Sequence, residues 1–205
     1  MLASVASRYD TDGIDIEFLN STTRGSGMKV RSPLVPLMKL KMTTIIFGIW
    51  QDAAAVEALF ASVSPKWATP LGTRVEAILN AYLHRFKKDP QHTKPLNLIV
   101  ITDGAPTDGT ATEDAIVRSA RELDAHNART TQLGIQFVQI GNDAGARAYL
   151  EMLDNGMVRH GVRDMVDTTP SGAGDGLDLD LVKILIGAVN RRVDNKGSGV
   201  LTGRG

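Results

Sequence analysis

Two short loops in this sequence combine residue types suited to holding a hard cation or a phosphoryl group. The first reads Thr102-Asp103-Gly104-Ala105-Pro106-Thr107-Asp108-Gly109 and follows a run, from Asn97 to Thr102, that is apolar on both faces. Ligand sites of parallel sheets lie at the carboxyl ends of the strands. An Asp leaving such a strand, with a Gly behind it to let the backbone turn, aims its carboxylate at a metal or a phosphoryl group. The plainer reading is an Asp that caps its own turn. The second loop, Ala68-Thr69-Pro70-Leu71-Gly72-Thr73, sets hydroxyls directly ahead of a helical stretch at Val75. Its plainer reading is that Thr69 or Thr73 caps that helix.

Other clusters carry less. Asp10, Asp12 and Asp15 surround a Gly at the wrong offset for an EF-hand loop, and Asp175, Asp178 and Asp180 stand at a helix start, where the dipole explains them. His84, His92, His126 and His160 share no metal-like spacing. No Gly-x-Ser-x-Gly elbow occurs, and neither Gly-x-Gly-x-x-Gly nor Gly-x-x-x-x-Gly-Lys-Ser/Thr is present, so a nucleophile and a standard nucleotide cradle are both unsupported.

The elements that must position the two loops follow from periodicity. Ile14, Ile16 and Phe18 alternate with Asp15 and Glu17, as in a half-buried strand. The runs from Asn97 to Thr102 and from Leu133 to Ile140 are rich in β-branched residues and read as inner strands, with Met165 to Thr168 as a last edge strand. Val75, Ile78, Leu79, Tyr82, Leu83 and Phe86 fall on one helical stripe, as do Val56, Leu59, Phe60 and Val63. Thr110-x-x-Glu113 has the form of a capping box before a helix that buries Ile116, Val117, Ala120 and Leu123 and closes at Asn127. A weaker helix covers Ala144 to Leu153. A final one, from about Leu177 to Val193, presents Leu181, Val182, Leu185, Ile186 and Val189 to a core. Alternating strand and helix with short connections predicts an α/β fold, Rossmann-like, with a mostly parallel sheet flanked by helices.

Two stretches break the alternation. Thr22 to Lys41 mixes Gly, Pro and cations, and Pro33 and Pro36 oppose a regular element, so an irregular surface insertion is expected at about 22–42. The residues 195–205 read as a flexible tail on a single domain, 1–194. The apolar run from Thr43 to Trp50 suits a central strand, far enough from Asn20 for a parallel crossover. Asp52 would then stand near the carboxyl end of that strand, or simply cap the helix that carries Val56.

Composition narrows the classes. The 205 residues are 42% apolar and carry 23 Lys plus Arg against 23 Asp plus Glu, so no global field draws the chain to nucleic acid or an anionic membrane. The absence of cysteine excludes disulfides, thiolate metal sites and cysteine nucleophiles. The longest apolar run falls far short of the ~20 residues a membrane helix needs. The N-terminus, MLASVASRYD, lacks the features of a secretory signal, and the expected location is intracellular, in the cytoplasm.

The loop at Thr69-Pro70-Leu71-Gly72, an amphipathic helix, and a buried strand ending in Thr102-Asp103-Gly104 together resemble the von Willebrand factor type A (vWA) domain. The likeness extends from Ile14-Asp-Ile-Glu-Phe-Leu19 through Ile135-Gln-Phe-Val-Gln-Ile-Gly141 and Val166-Asp-Thr-Thr169, and is greatest to the stand-alone intracellular type of fungi. It implies a metal-ion-dependent adhesion site (MIDAS). Carried over, Thr69 is a hydroxyl ligand and Asp103 a direct or water-mediated carboxylate ligand of Mg²⁺ or a similar divalent cation. The open coordination position takes an acidic side chain from a protein partner, which makes the site adhesive and not enzymatic. The family's Asp-x-Ser-x-Ser motif, on its first, central strand, is absent. That departure removes three oxygen ligands and implies a weak or absent cation. Two alternatives stand beside this reading. One is a metal-assisted hydrolase or phosphotransferase using Asp103. The other is a defective, N-terminally truncated gene product with translated intron across part of 22–50.

Overall fold

The apolar stripes become buried helix faces. The computed structural model describes residues 14–21, 23–28, 45–47, 58–64, 69–108, 111–170 and 184. Helix α1 (Leu71–Lys88) buries Val75, Leu79, Tyr82, Leu83 and Phe86, with Ile78 at the margin, and ends on Arg85, Lys87 and Lys88, which suit the negative end of its dipole. Helix α2 (Ala111–Ala125) buries Ile116, Val117, Ala120 and Leu123. It closes as expected at Asn127, whose φ of 48° is the left-handed conformation Asn tolerates. Asn127 N donates to Asp124 O and Ala128 N to Leu123 O, both at 2.9 Å, the paired bonds of a Schellman closure. Thr110, the first residue of the expected capping box, lies outside the described residues. Glu113 Oε1 sits 3.0 Å from His160 Nε2. Helix α3 (Ala144–Arg159) begins where predicted but runs on past Leu153. Asp143 starts it by accepting from Ala146 N at 2.6 Å.

Six strands form one sheet: β1 (Ile14–Phe18), β2 (Arg24–Met28), β3 (Ile45–Phe47), β4 (Leu96–Thr102), β5 (Leu133–Gln139) and β6 (Val166–Pro170). Their order is β2-β1-β3-β4-β5-β6. The β4–β5 and β5–β6 pairs are parallel, with helices α2 and α3 as crossovers. The β1–β2, β1–β3 and β3–β4 pairs are antiparallel. The mostly parallel sheet expected from the alternation is therefore a mixed one, since periodicity carries no information on strand direction.

Two further expectations change. Arg24–Met28, inside the stretch read as an irregular insertion, is an edge strand. Its Gly-rich composition disguises it, while Pro33 and Pro36 fall beyond its end and so do not oppose it. The apolar run at 45–47 does occupy the slot between β1 and β4, but it runs antiparallel to both, with Ile45 opposite Ile101 and Phe47 opposite Ile99. Its carboxyl end thus points away from the end of β4 that carries Asp103. Asp52, Val56 and all but one residue of the predicted last helix lie outside the described residues. The exception, Ile184, is helical and buried.

Helices α1, α2 and α3 share one core with Leu98 and Val100 of β4, Leu133, Ile135 and Phe137 of β5, and Val166 of β6. They therefore cover a single face of the sheet. On the opposite face Ile16, Phe18, Ile99, Ile101 and Val138 are also buried, and the Phe60 ring meets Phe18 edge-on with centroids 5.4 Å apart. That second face also holds buried Gln136 and Asp167, paired in register across β5 and β6, and Gln136 Nε2 donates to Thr169 Oγ1 at 3.2 Å. No helix among the described residues is long and apolar enough to cross a membrane.

Two polar side chains tie the frame together. Arg74, in the second turn of α1, donates from Nη2 to Phe18 O at 2.7 Å and to Ser21 O at 2.6 Å, fixing the carboxyl end of β1 beside the start of the helix. At the other end of α1, the Tyr82 hydroxyl accepts from Gln132 Nε2 at 2.7 Å and lies 2.9 Å from Lys94 O. Burial raises its pKa, outweighing that Gln132 bond.

Candidate functional site

The carboxyl ends of β4, β5 and β6 lie on one edge of the sheet because the three strands are parallel, and the N-termini of α2 and α3 follow from them. The two antiparallel steps through β3 make β1 parallel to β4, so β1 also ends on this edge. Arg74 then brings the first turns of α1 to the same place. Both predicted site residues are here. Asp103 is exposed, immediately after the last residue of β4, and Thr69 is half-buried, immediately before the N-cap position of α1.

The loops carrying them are joined directly. Thr69 N donates to Thr107 Oγ1 at 3.1 Å, and Thr107 N donates back to Thr69 O at 2.9 Å. One residue on, the Asp108 carboxylate accepts from Gly72 N at 3.0 Å through Oδ1 and from Thr73 N at 2.7 Å through Oδ2. Asp108 is therefore the cap of α1, supplied from another part of the chain. The residue at the N-cap position, Pro70, makes no side-chain capping bond. This corrects the plainer reading of the second loop, in which Thr69 or Thr73 performs that task. Thr69 engages its neighbours through its backbone, and among the described residues no hydrogen bond engages the Asp103 carboxylate.

Asp108 and Thr107 are the residues that sequence reasoning missed. The available signal was indirect: a Pro where α1 needs an acceptor, and a second Asp five residues after Asp103. The glycines also exchange roles. Gly104, expected to permit a sharp turn, has no positive φ and open space where a Cβ would stand. Gly72 is the constrained position, because a Cβ there would lie 2.8 Å from Ala111 Cβ and 2.9 Å from Thr112 N. The first turns of α1 and α2 touch at that point.

Partial burial opposes ionisation of Asp108, but the Thr73 and Gly72 amides that bond its charged form outweigh it and hold its carboxyl below the ordinary range. A carboxyl with a lowered folded-state pKa adds stability above its unfolded value and loses that contribution as pH falls through the folded one. Asp108→Ala should accordingly cost about 1 kcal/mol at neutral pH, the usual value of a helix cap. The difference from the parent should shrink as pH falls below about 4, the ordinary Asp value. Urea unfolding at pH 7 and pH 3 checks this, and an equal difference at both would refute the assignment. The Asp108 charge is also felt by Tyr149 of α3. Burial raises the Tyr149 pKa, and the charges of Asp108 and Glu113 add to that rise.

In donor type the pair suits a hard cation, since a hydroxyl and a carboxylate are the oxygen ligands Mg²⁺ accepts. In number it is poor. Among the described residues no three His, Asp or Glu side chains gather as a metal-binding group. The fold and this edge define an α/β protein with a polar loop site at the carboxyl ends of its parallel strands. No family profile, curated protein or solved structure matches the chain.

Proposed function

We propose that this chain is a protein-binding module of the von Willebrand factor type A kind, with an incomplete metal-ion-dependent adhesion site at Thr69 and Asp103. The observation that supports it is the joining of the two loops through Thr69 and Thr107, which ties the segment before α1, whose Thr69 side chain is not used as a helix cap, to the loop that opens with the exposed Asp103. A divalent cation held there supplies a Lewis-acidic point with open coordination positions. Thr69 and Asp103 would hold it, water would complete it, and an acidic side chain of a protein partner would take one position. The strand between β1 and β4 runs in the direction that carries its carboxyl end away from this edge. Two protein oxygens leave the affinity low.

Calorimetric titration with Mg²⁺ and Mn²⁺ tests this reading. Weak binding is expected, in the range of about 0.1–1 mM or weaker that sparsely liganded sites give. Asp103→Ala should abolish it. Binding that persists unchanged in that variant would remove Asp103 from the site, and micromolar or tighter binding would mean that the ligand set is larger than this pair.

A further inference from the structure

Among the described residues, four hydrogen bonds donated by backbone amides join the loop at 103–108 to the start of α1, and they are not equivalent. The reciprocal bonds of Thr69 and Thr107 attach the loop to the start of α1 at one point, while at the loop's other end Thr102 Oγ1 donates to Gly104 O at 2.8 Å. The two bonds to Asp108 lie one residue further along and engage two successive amides of α1. They are charge-assisted and stand at the end of the helix that attracts negative charge. A second attachment of this kind converts a hinge into a fixed joint.

We propose that Asp108 is a positioning residue for the Thr69–Asp103 pair: its carboxylate pins the 103–108 loop to the first turn of α1 and keeps the two oxygen donors in one relation. The value of that pinning rests on reading the pair as a cation site, whereas the pinning itself rests on the hydrogen bonds. Asp108 also occupies the anion-attracting end of α1. An acidic side chain from a partner finds that end taken and is left to meet the cation.

The chain contains no cysteine, so the double variant Thr69→Cys/Asp103→Cys accepts two nitroxide labels at defined places. Their dipolar coupling, read at neutral pH without metal, should give one narrow distance distribution. Adding Asp108→Asn should widen it about twofold, as a locally released loop samples more positions, with the far-UV circular dichroism unchanged. The amide keeps one acceptor oxygen but turns an NH₂ group toward the other helix N–H, so one bond is lost without loss of shape. Asp108→Ala should widen it at least as much. A distribution that keeps its width in both variants overturns the proposal. If Asp108→Ala loses helicity, the isosteric variant decides by the same criterion. Because no metal enters the measurement, a parent chain that fails to bind Mn²⁺ overturns the cation reading alone.

Discussion

Phe137→Ala should lower stability by about 3–5 kcal/mol, the range for removing a fully buried aromatic ring from a core. Phe137 is wholly buried at the middle of β5, in register with Val100 of β4 and Thr168 of β6, on the face that α1, α2 and α3 cover. The neighbours are backbone-anchored strands and helices that cannot collapse into the space, so the cavity term adds to the transfer term. For a domain of this size the midpoint of thermal unfolding should fall by roughly 10 °C. Thermal and urea melts of the variant beside the parent measure it. A loss below about 1 kcal/mol would mean that the site can collapse, and that the helices do not pack on β5 as described.

The second large effect is expected at Gly72. Replacing it with Ala puts a methyl group against Ala111 Cβ and the Thr112 backbone, at distances that real Cβ atoms do not reach. Backbone must move, and overpacking of this kind costs about 1–3 kcal/mol. The movement also reaches the site, because Gly72 N is one of the two donors to Asp108. Gly104→Ala is the control. Nothing lies within 4 Å of the added carbon there, and the change should stay within about 0.5 kcal/mol of the parent. Equal melting points for the two variants would show that the α1–α2 contact yields without cost. The comparison also separates the two loops, since each carries one of these glycines beside a proposed ligand.

Much of the frame was legible from local patterns. The stripe from Val75 to Phe86 predicts which side of α1 is buried, because helical periodicity acts within a few turns and needs no partner to be read. The same holds for Ile116, Val117, Ala120 and Leu123 on α2, and for closure at Asn127, where a single residue's tolerance of positive φ is enough. Strands β4, β5 and β6 were legible because β-branched runs bounded by turn residues have few other uses. Strand β2 was not. Its Arg24-Gly-Ser-Gly-Met28 lacks any apolar alternation, and its pairing with β1 is an edge contact that asks little of its side chains.

The candidate site divides in the same way. Asp103 drew notice from its position after a buried strand, and the resemblance to the vWA domain named it and Thr69 as ligands; both stand at the carboxyl edge of the parallel strands. That their loops meet depends on Thr107 and Asp108. Asp108 bonds to amides 36 and 35 positions earlier in the chain, a juxtaposition that no local window contains. The Gly-x-helix contact at Ala111 and the Arg74 clamp on β1 are of the same long-range kind.

The sequence by itself determined the α/β alternation, the buried faces of α1 and α2, and the strand runs of β4 to β6. Each of these is written in the spacing of neighbouring residues, where sterics and hydrophobic periodicity act. Tertiary structure alone decided the direction of β3, the place of β2 at the edge, the carboxylate that caps α1, and the glycine that cannot accept a side chain. An apolar run of three residues is equally content running either way in a sheet, and a helix terminus accepts any carboxylate brought to it. Only the closing of the chain selects which.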